Sequence, residues 1–172
     1  MTMLSTLRTA CRALATTLAA GTLILGAHAT AARADEVEQN RALVAQGMQA
    51  WADGTGSPYD LLADDVRWTI TGNSLAARTY PSREAFLSEV IRPFNARMRD
   101  RLIPTVHRYY AEGDTVVVHF DATGTARDGQ PYANSYAWIL RMRDARIVEA
   151  HAFFDSIAFD AFWTRVAPER LP

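Results

Sequence analysis

His119 and Asp121 stand two positions apart in TVVVHFDATGTAR. Two such residues on a strand project to the same side about 7 Å apart, so both can reach one ligand. The chemistry such a pair offers is acid–base: a carboxyl taken partly out of water moves toward neutral pKa, and an imidazole relays the proton or polarises a carbonyl. Asp155 closes RIVEAHAFFD, where it can orient an imidazole or a water through Asn134, or cap the helix that comes next. Tyr136 brings a hydroxyl for a developing oxyanion. Asp121, His119 and Asp155 are therefore the candidate catalytic residues, and Trp68, Asn134, Tyr136, Trp138, His151 and Phe153 the candidate ligand-binding ones.

Positioning them falls to three consecutive strands, TVVVHFDATGTAR, QPYANSYAWILRMR and RIVEAHAFFD, joined at Asp128-Gly129 and Asp144-Ala145 by expected two-residue hairpin turns. If 127 pairs with 130 and 143 with 146, one face carries Asp121, Tyr136 and Phe153 in one row and His119, Trp138 and His151 in the next. That face has the make-up of a cavity wall, apolar in depth with a few converging polar groups. The opposite face carries Val118, Phe120, Ile139 and Ala152 and is apolar too, which predicts a homodimer through it; the alternative is that this face packs on the helices and the polar face meets solvent. His119 and His151 fall on strands separated by a third, about 9.6 Å apart, too far to share a metal ion; no metal site is expected. The facing of His107 depends on the length of the turn at Glu112-Gly113-Asp114 and stays open.

The chain begins with Arg8 and Arg12, an apolar run ALATTLAAGTLILGA, and Ala32-Arg33-Ala34. This is the tripartite pattern of an export signal cleaved near Ala34. Residues 1–34 are read as that signal and 35–172 as one domain, periplasmic or secreted, with no membrane segment after cleavage. Cleavage would remove the only cysteine and three of the 18 basic residues, leaving 15 against 19 acids. A mildly acidic domain argues against a nucleic-acid partner, which needs a basic footprint. Without cysteine there is no disulfide or thiolate, and without any lysine no Schiff base. No cofactor is expected, since export disfavours dependence on nicotinamide and other cytoplasmic carriers.

The periodicity of Asn40–Trp51 predicts a helix, Ser57-Pro58 a short second one through Leu62, VRWTIT a strand, and Ser82 onward a capped helix that Pro93 kinks or ends. Leu102–Ala111 reads as a strand and SIAFDAFWTR as a closing helix. This order is that of an α+β domain with helices over a strongly bent antiparallel sheet.

The segments LLADDVRW, DGQPYANSYAW and RIVEAHAFFD resemble the SnoaL-like branch of the nuclear transport factor 2-like superfamily, over roughly Val37 to Trp163. The resemblance implies a cone-shaped curved sheet wrapped by three to four helices around an internal pocket. Its members include ketosteroid isomerases, polyketide cyclases, scytalone dehydratases, limonene epoxide hydrolases and many non-enzymes, so fold alone does not give function. The isomerases' catalytic Asp aligns with Ile70, which removes their base. The epoxide hydrolases' Arg-x-Asp and final Asp fall on His119-x-Asp121 and Asp155, but their water-holding Tyr and Asn fall on Trp68 and Ile70. An indole only donates a hydrogen bond and Ile does neither. The expectation is an exported pocket protein for a small hydrophobic molecule, either an isomerase, cyclase, dehydratase or hydrolase by Asp/His chemistry, or a non-catalytic binder of a hydrophobic metabolite or peptide.

Overall fold

The computed structural model describes residues 33–168. The described residues from Val37 onward form one compact unit that holds the sheet and its covering helices. The export signal falls almost wholly outside the described residues. Among the described residues no helix is long and apolar enough to cross a membrane.

Helix α1 runs to residue 53, burying Val44 and Met48. Arg101 closes its C-terminus by donating from its two Nη atoms to the carbonyls of Trp51 and Ala52, both at 2.7 Å. Ser57 then opens the short second helix expected there, a single 3-10 turn, Pro58–Leu61, one residue shorter than expected. Its hydroxyl accepts from Tyr59 N–H while Asp60 accepts from Ser57 N–H, a reciprocal capping box. Strand β1 is Leu62–Ile70 and β2 the two residues Thr79–Tyr80, a pairing the sequence did not announce.

Ser82 caps α2 (Arg83–Phe86) by accepting from Ala85 N–H. The helix does not stop at Pro93; it widens into a π-helical turn, Leu87–Ile91, and resumes as α3, Arg92–Asn95. Proline has no N–H for the carbonyl four residues back, and the bond from Arg92 N–H to Leu87 five residues back absorbs the mismatch.

Next come strands β3 (Ile103–Glu112), β4 (Thr115–Thr125), β5 (Pro131–Arg143) and β6 (Arg146–Phe154), and α4 (Ser156–Arg165) closes the unit. The sheet order is β2-β1-β6-β5-β4-β3. All neighbours are antiparallel except β1 and β6, which are parallel, so the sheet is mixed. The architecture is the α+β curved, unclosed sheet with helices that the sequence implied.

Two local features set which side chains face inward. The β4–β5 loop has three residues, Arg127-Asp128-Gly129, with Ala126 N–H bonded to Gln130 O and Gly129 at φ +83°. The expected two-residue turn would pair Asp121 with Tyr136; the extra residue pairs it with Ser135, and Phe120 with Tyr136. A shift of one position turns an entire strand over relative to its neighbour. The β5–β6 turn at Asp144-Ala145 is as expected, both residues at positive φ, but a bulge past Met142 moves the register so that Tyr136 meets Phe154 rather than Phe153.

Candidate functional site

The inner face of the sheet carries Val116, Val118, Phe120 and Ala122 from β4, Asn134, Tyr136, Trp138 and Leu140 from β5, and Ala150, Ala152 and Phe154 from β6. Val118, Phe120 and Ala152 are therefore buried beneath the helices and cannot form the surface expected to dimerise; of that group only Ile139 is exposed. Between this face and the helices lies a cavity of ≈ 640 Å³. Its walls come from α1 (Trp51), the 3-10 turn (Tyr59), β1 (Trp68, Ile70), the π-helical turn (Leu87, Val90) and the inner sheet (Tyr136, Trp138, Phe154).

Aromatic rings frame it. Trp68 stacks on Phe86 at 4.3 Å and meets Trp138 edge-on at 5.2 Å, while Trp51 lies parallel to Trp138 at 6.0 Å. Such contacts fix ring orientation more tightly than area burial alone. The indole N–H of Trp68 is buried and has no hydrogen-bond partner among the described residues. Leaving a buried donor unpaired costs about 1–3 kcal/mol, so this group wants an acceptor.

The second polar feature is a relay behind the cavity wall. Asn134, buried among apolar groups, donates from Nδ2 to Asp155 O at 3.0 Å and to the Tyr132 hydroxyl at 3.1 Å, and accepts at Oδ1 from Asp155 N–H at 2.9 Å. Tyr132 and Tyr136 hydroxyls are 3.0 Å apart. Asn134 fills one acceptor site of the Tyr132 oxygen, and either hydroxyl can donate in the Tyr132–Tyr136 bond. Burial raises the Tyr136 hydroxyl well above the ordinary tyrosine pKa, and Tyr59 likewise. Both phenols stay neutral at physiological pH and act as donors rather than bases.

Of the nine residues singled out by sequence, Trp68, Tyr136 and Trp138 line the cavity and Asn134 supports it. His119, Asp121, His151 and Phe153 are on the outer face, and the expected convergence of 119, 121 and 155 in one hollow does not occur. Asp121 there accepts from Ser135 Oγ at 2.6 Å and pairs with His107 Nε2 at 2.8 Å; His107 and His119 rings are 5.0 Å apart. These bonds, Ser135 first, hold the Asp121 carboxyl below its usual range, opposite to the desolvation shift expected of it. Asp155 is exposed and caps α4, accepting at Oδ1 from Ile157 N–H at 2.8 Å and Ala158 N–H at 3.2 Å. His107 reaches Asp121 because it is the extra residue of a bulge in β3, between Val106 opposite Phe120 and Arg108 opposite His119.

The sequence reading missed Trp51, Tyr59, Phe86 and Arg83 as cavity residues. Trp51 at the end of an amphipathic helix and Tyr59 inside the capped SPYDL turn were the available signals. Among the described residues no group of three or more His, Cys, Asp or Glu is placed to hold a metal ion.

The profile of the SnoaL-like domain family matches residues 38–150. The chain belongs to this family. Solved structures agree in fold: Bal32a, from a soil-derived mobile gene cassette, is 22% identical over 74% of this chain and 98% of its own, with a TM-score of 0.61. IdmH of Streptomyces antibioticus, a candidate polyketide cyclase, is 24% identical over 73% of this chain and 99% of its own, with a TM-score of 0.57. TerC, solved with polyporic acid, is 17% identical over 73% of this chain and 98% of its own, with a TM-score of 0.59. Among curated proteins none matches the chain. A SnoaL-like domain joins the nuclear transport factor 2-like superfamily.

Proposed function

We propose that this SnoaL-like domain binds a flat, hydrophobic, carbonyl-bearing small molecule in the cavity and polarises its carbonyl for cofactor-free proton transfer or aldol-type cyclisation. One observation carries the reading: Trp68, whose indole N–H is buried without a partner among the described residues, and Tyr136 both line a cavity walled mainly by apolar and aromatic side chains. An unpaired donor on a ring of the cavity wall, beside the Tyr136 phenol, favours a ligand oxygen that gains negative charge as an adjacent proton leaves. The candidate cyclase assignment of IdmH and the aromatic ligand named for TerC lend support by likeness of fold.

Among the described residues the cavity lining contains no histidine, and its one carboxylate, Asp60, is on the 3-10 turn and largely exposed. Asp60 is thus the proposed base at the mouth, in place of the outer-face Asp121 and His119. The second reading is a binder without turnover, favoured by the same shortage of buried bases. Export of the mature chain after cleavage near Ala34 belongs to the proposal as well, supported by the residue pattern of the first 34 positions.

The test is Trp68→Phe, which keeps the ring stack and removes the donor. Affinity for a planar aryl ketone such as 2-acetylnaphthalene falls about tenfold, and affinity for 2-ethylnaphthalene is unchanged. Equal affinity of both proteins for the ketone removes the reading. Exchange of the ketone's α-hydrogens with deuterated water, catalysed by the wild type and lost in Asp60→Asn, separates enzyme from binder.

A further inference from the structure

The charged part of the cavity lining is electrically unlike the rest of the molecule. Three guanidiniums, Arg83, Arg99 and Arg101, line it against the carboxylate of Asp60, whereas the whole chain has a net charge of −1. The three differ in what they already hold. Arg101 is committed to the Trp51 and Ala52 carbonyls. Arg99 reaches its neighbour Asp100 at 3.3 Å on the surface. Arg83 is the least satisfied: its Nε–H is buried with no partner among the described residues, and its Nη2 lies 4.0 Å from Asp60 Oδ1, the outer limit of an ion pair. Asp60 is itself occupied, its Oδ2 accepting from Ser57 N–H at 3.0 Å.

Arg83 starts α2, so its backbone is fixed by the Ser82 cap while its side chain lies against the cavity wall. Nε and Nη2 form the edge of a guanidinium that grips a carboxylate with two parallel bonds. On this edge Nε–H is unpaired but covered, and Nη2 stands 4.0 Å from Asp60, so a carboxylate takes both only when the side chain shifts and Asp60 gives way. The aromatic rings and the guanidiniums therefore line one site.

We infer that the ligand is amphipathic, an apolar ring system or chain bearing a carboxylate, with Arg83 taking the carboxylate and the rings seated on Trp68 and Trp138. This rests on the proposed use of the cavity and adds the substrate's charge class and the residue that reads it. Asp60 acts as a placeholder that keeps Arg83 oriented until the acid displaces it.

The experiment compares 2-naphthoic acid with methyl 2-naphthoate by calorimetry at pH 7, on wild type, Arg83→Gln, Arg99→Gln and Asp60→Asn, each checked for an unchanged melting profile. The wild type binds the acid about tenfold more tightly than the ester. Arg83→Gln erases that preference with the ester's affinity unchanged, Arg99→Gln leaves it largely in place, and Asp60→Asn, which retains the cap acceptor, raises the acid's affinity. Equal wild-type binding of acid and ester, a preference that survives in Arg83→Gln, or weaker acid binding by Asp60→Asn overturns the inference while leaving the cavity's use intact. Failure of both compounds to bind overturns the cavity's use and the inference together.

Discussion

Replacing Tyr136 by Phe removes one oxygen from the centre of the relay, and the neighbouring bonds fix what that should cost. Tyr132 keeps Asn134 Nδ2 as a donor to its oxygen at 3.1 Å, so its acceptor side stays satisfied. The bond between the two hydroxyls, 3.0 Å apart, is lost, and the apolar rings of Phe94 and Phe162 that pack on Tyr132 offer no replacement. A net hydrogen bond is worth about 1 kcal/mol and a stranded buried donor up to about 3, so a loss of about 1–2 kcal/mol is expected. For a domain of this size that lowers Tm by about 3–6 °C. Urea unfolding of Tyr136→Phe, Tyr132→Phe and the double variant should return a coupling of about 1 kcal/mol between the two hydroxyls. Ketone affinity should fall about tenfold in Tyr136→Phe with the parent hydrocarbon unaffected. Full wild-type stability together with full ketone affinity would refute the relay, because it would mean that the Tyr136 hydrogen neither completes the chain nor reaches the cavity.

Two further predictions concern the acids on the outside. Asp121 has a folded pKa below its unfolded value, through Ser135 first and His107 next, so the stability it contributes is present above the unfolded pKa and is lost as pH falls through the folded one. Asp121→Asn should therefore flatten the acid limb of a stability–pH curve measured below about pH 4, and should leave ketone binding at pH 7 unchanged. Asp155→Ala should cost about 1 kcal/mol, since two α4 amides lose their acceptor, whereas Asp155→Asn should recover most of it; an Asn variant as damaged as Ala would point to a role for the charge beyond capping.

The residues themselves determined a good deal. Alternation and turn chemistry marked out the three long strands, and Ser57, Ser82 and Asp155 marked the starts of the turn and helices they cap. Local rules suffice there, because a capping hydroxyl or carboxylate acts within one turn of its own backbone. The aromatic make-up of the cavity was legible too, since Trp68, Tyr136 and Trp138 are too large and apolar to leave in water. Which polar groups join them was decided only in three dimensions. One additional loop residue between Ala126 and Gln130 and one bulge beyond Met142 carry His119, Asp121, His151 and Phe153 to the far side of the sheet. Strand periodicity is two, so a register error of one residue is as large as an error can be, and nothing in the strand itself reports it. Arg83 and the unpaired indole acquire meaning the same way, through neighbours far off in the chain that close a cavity around them.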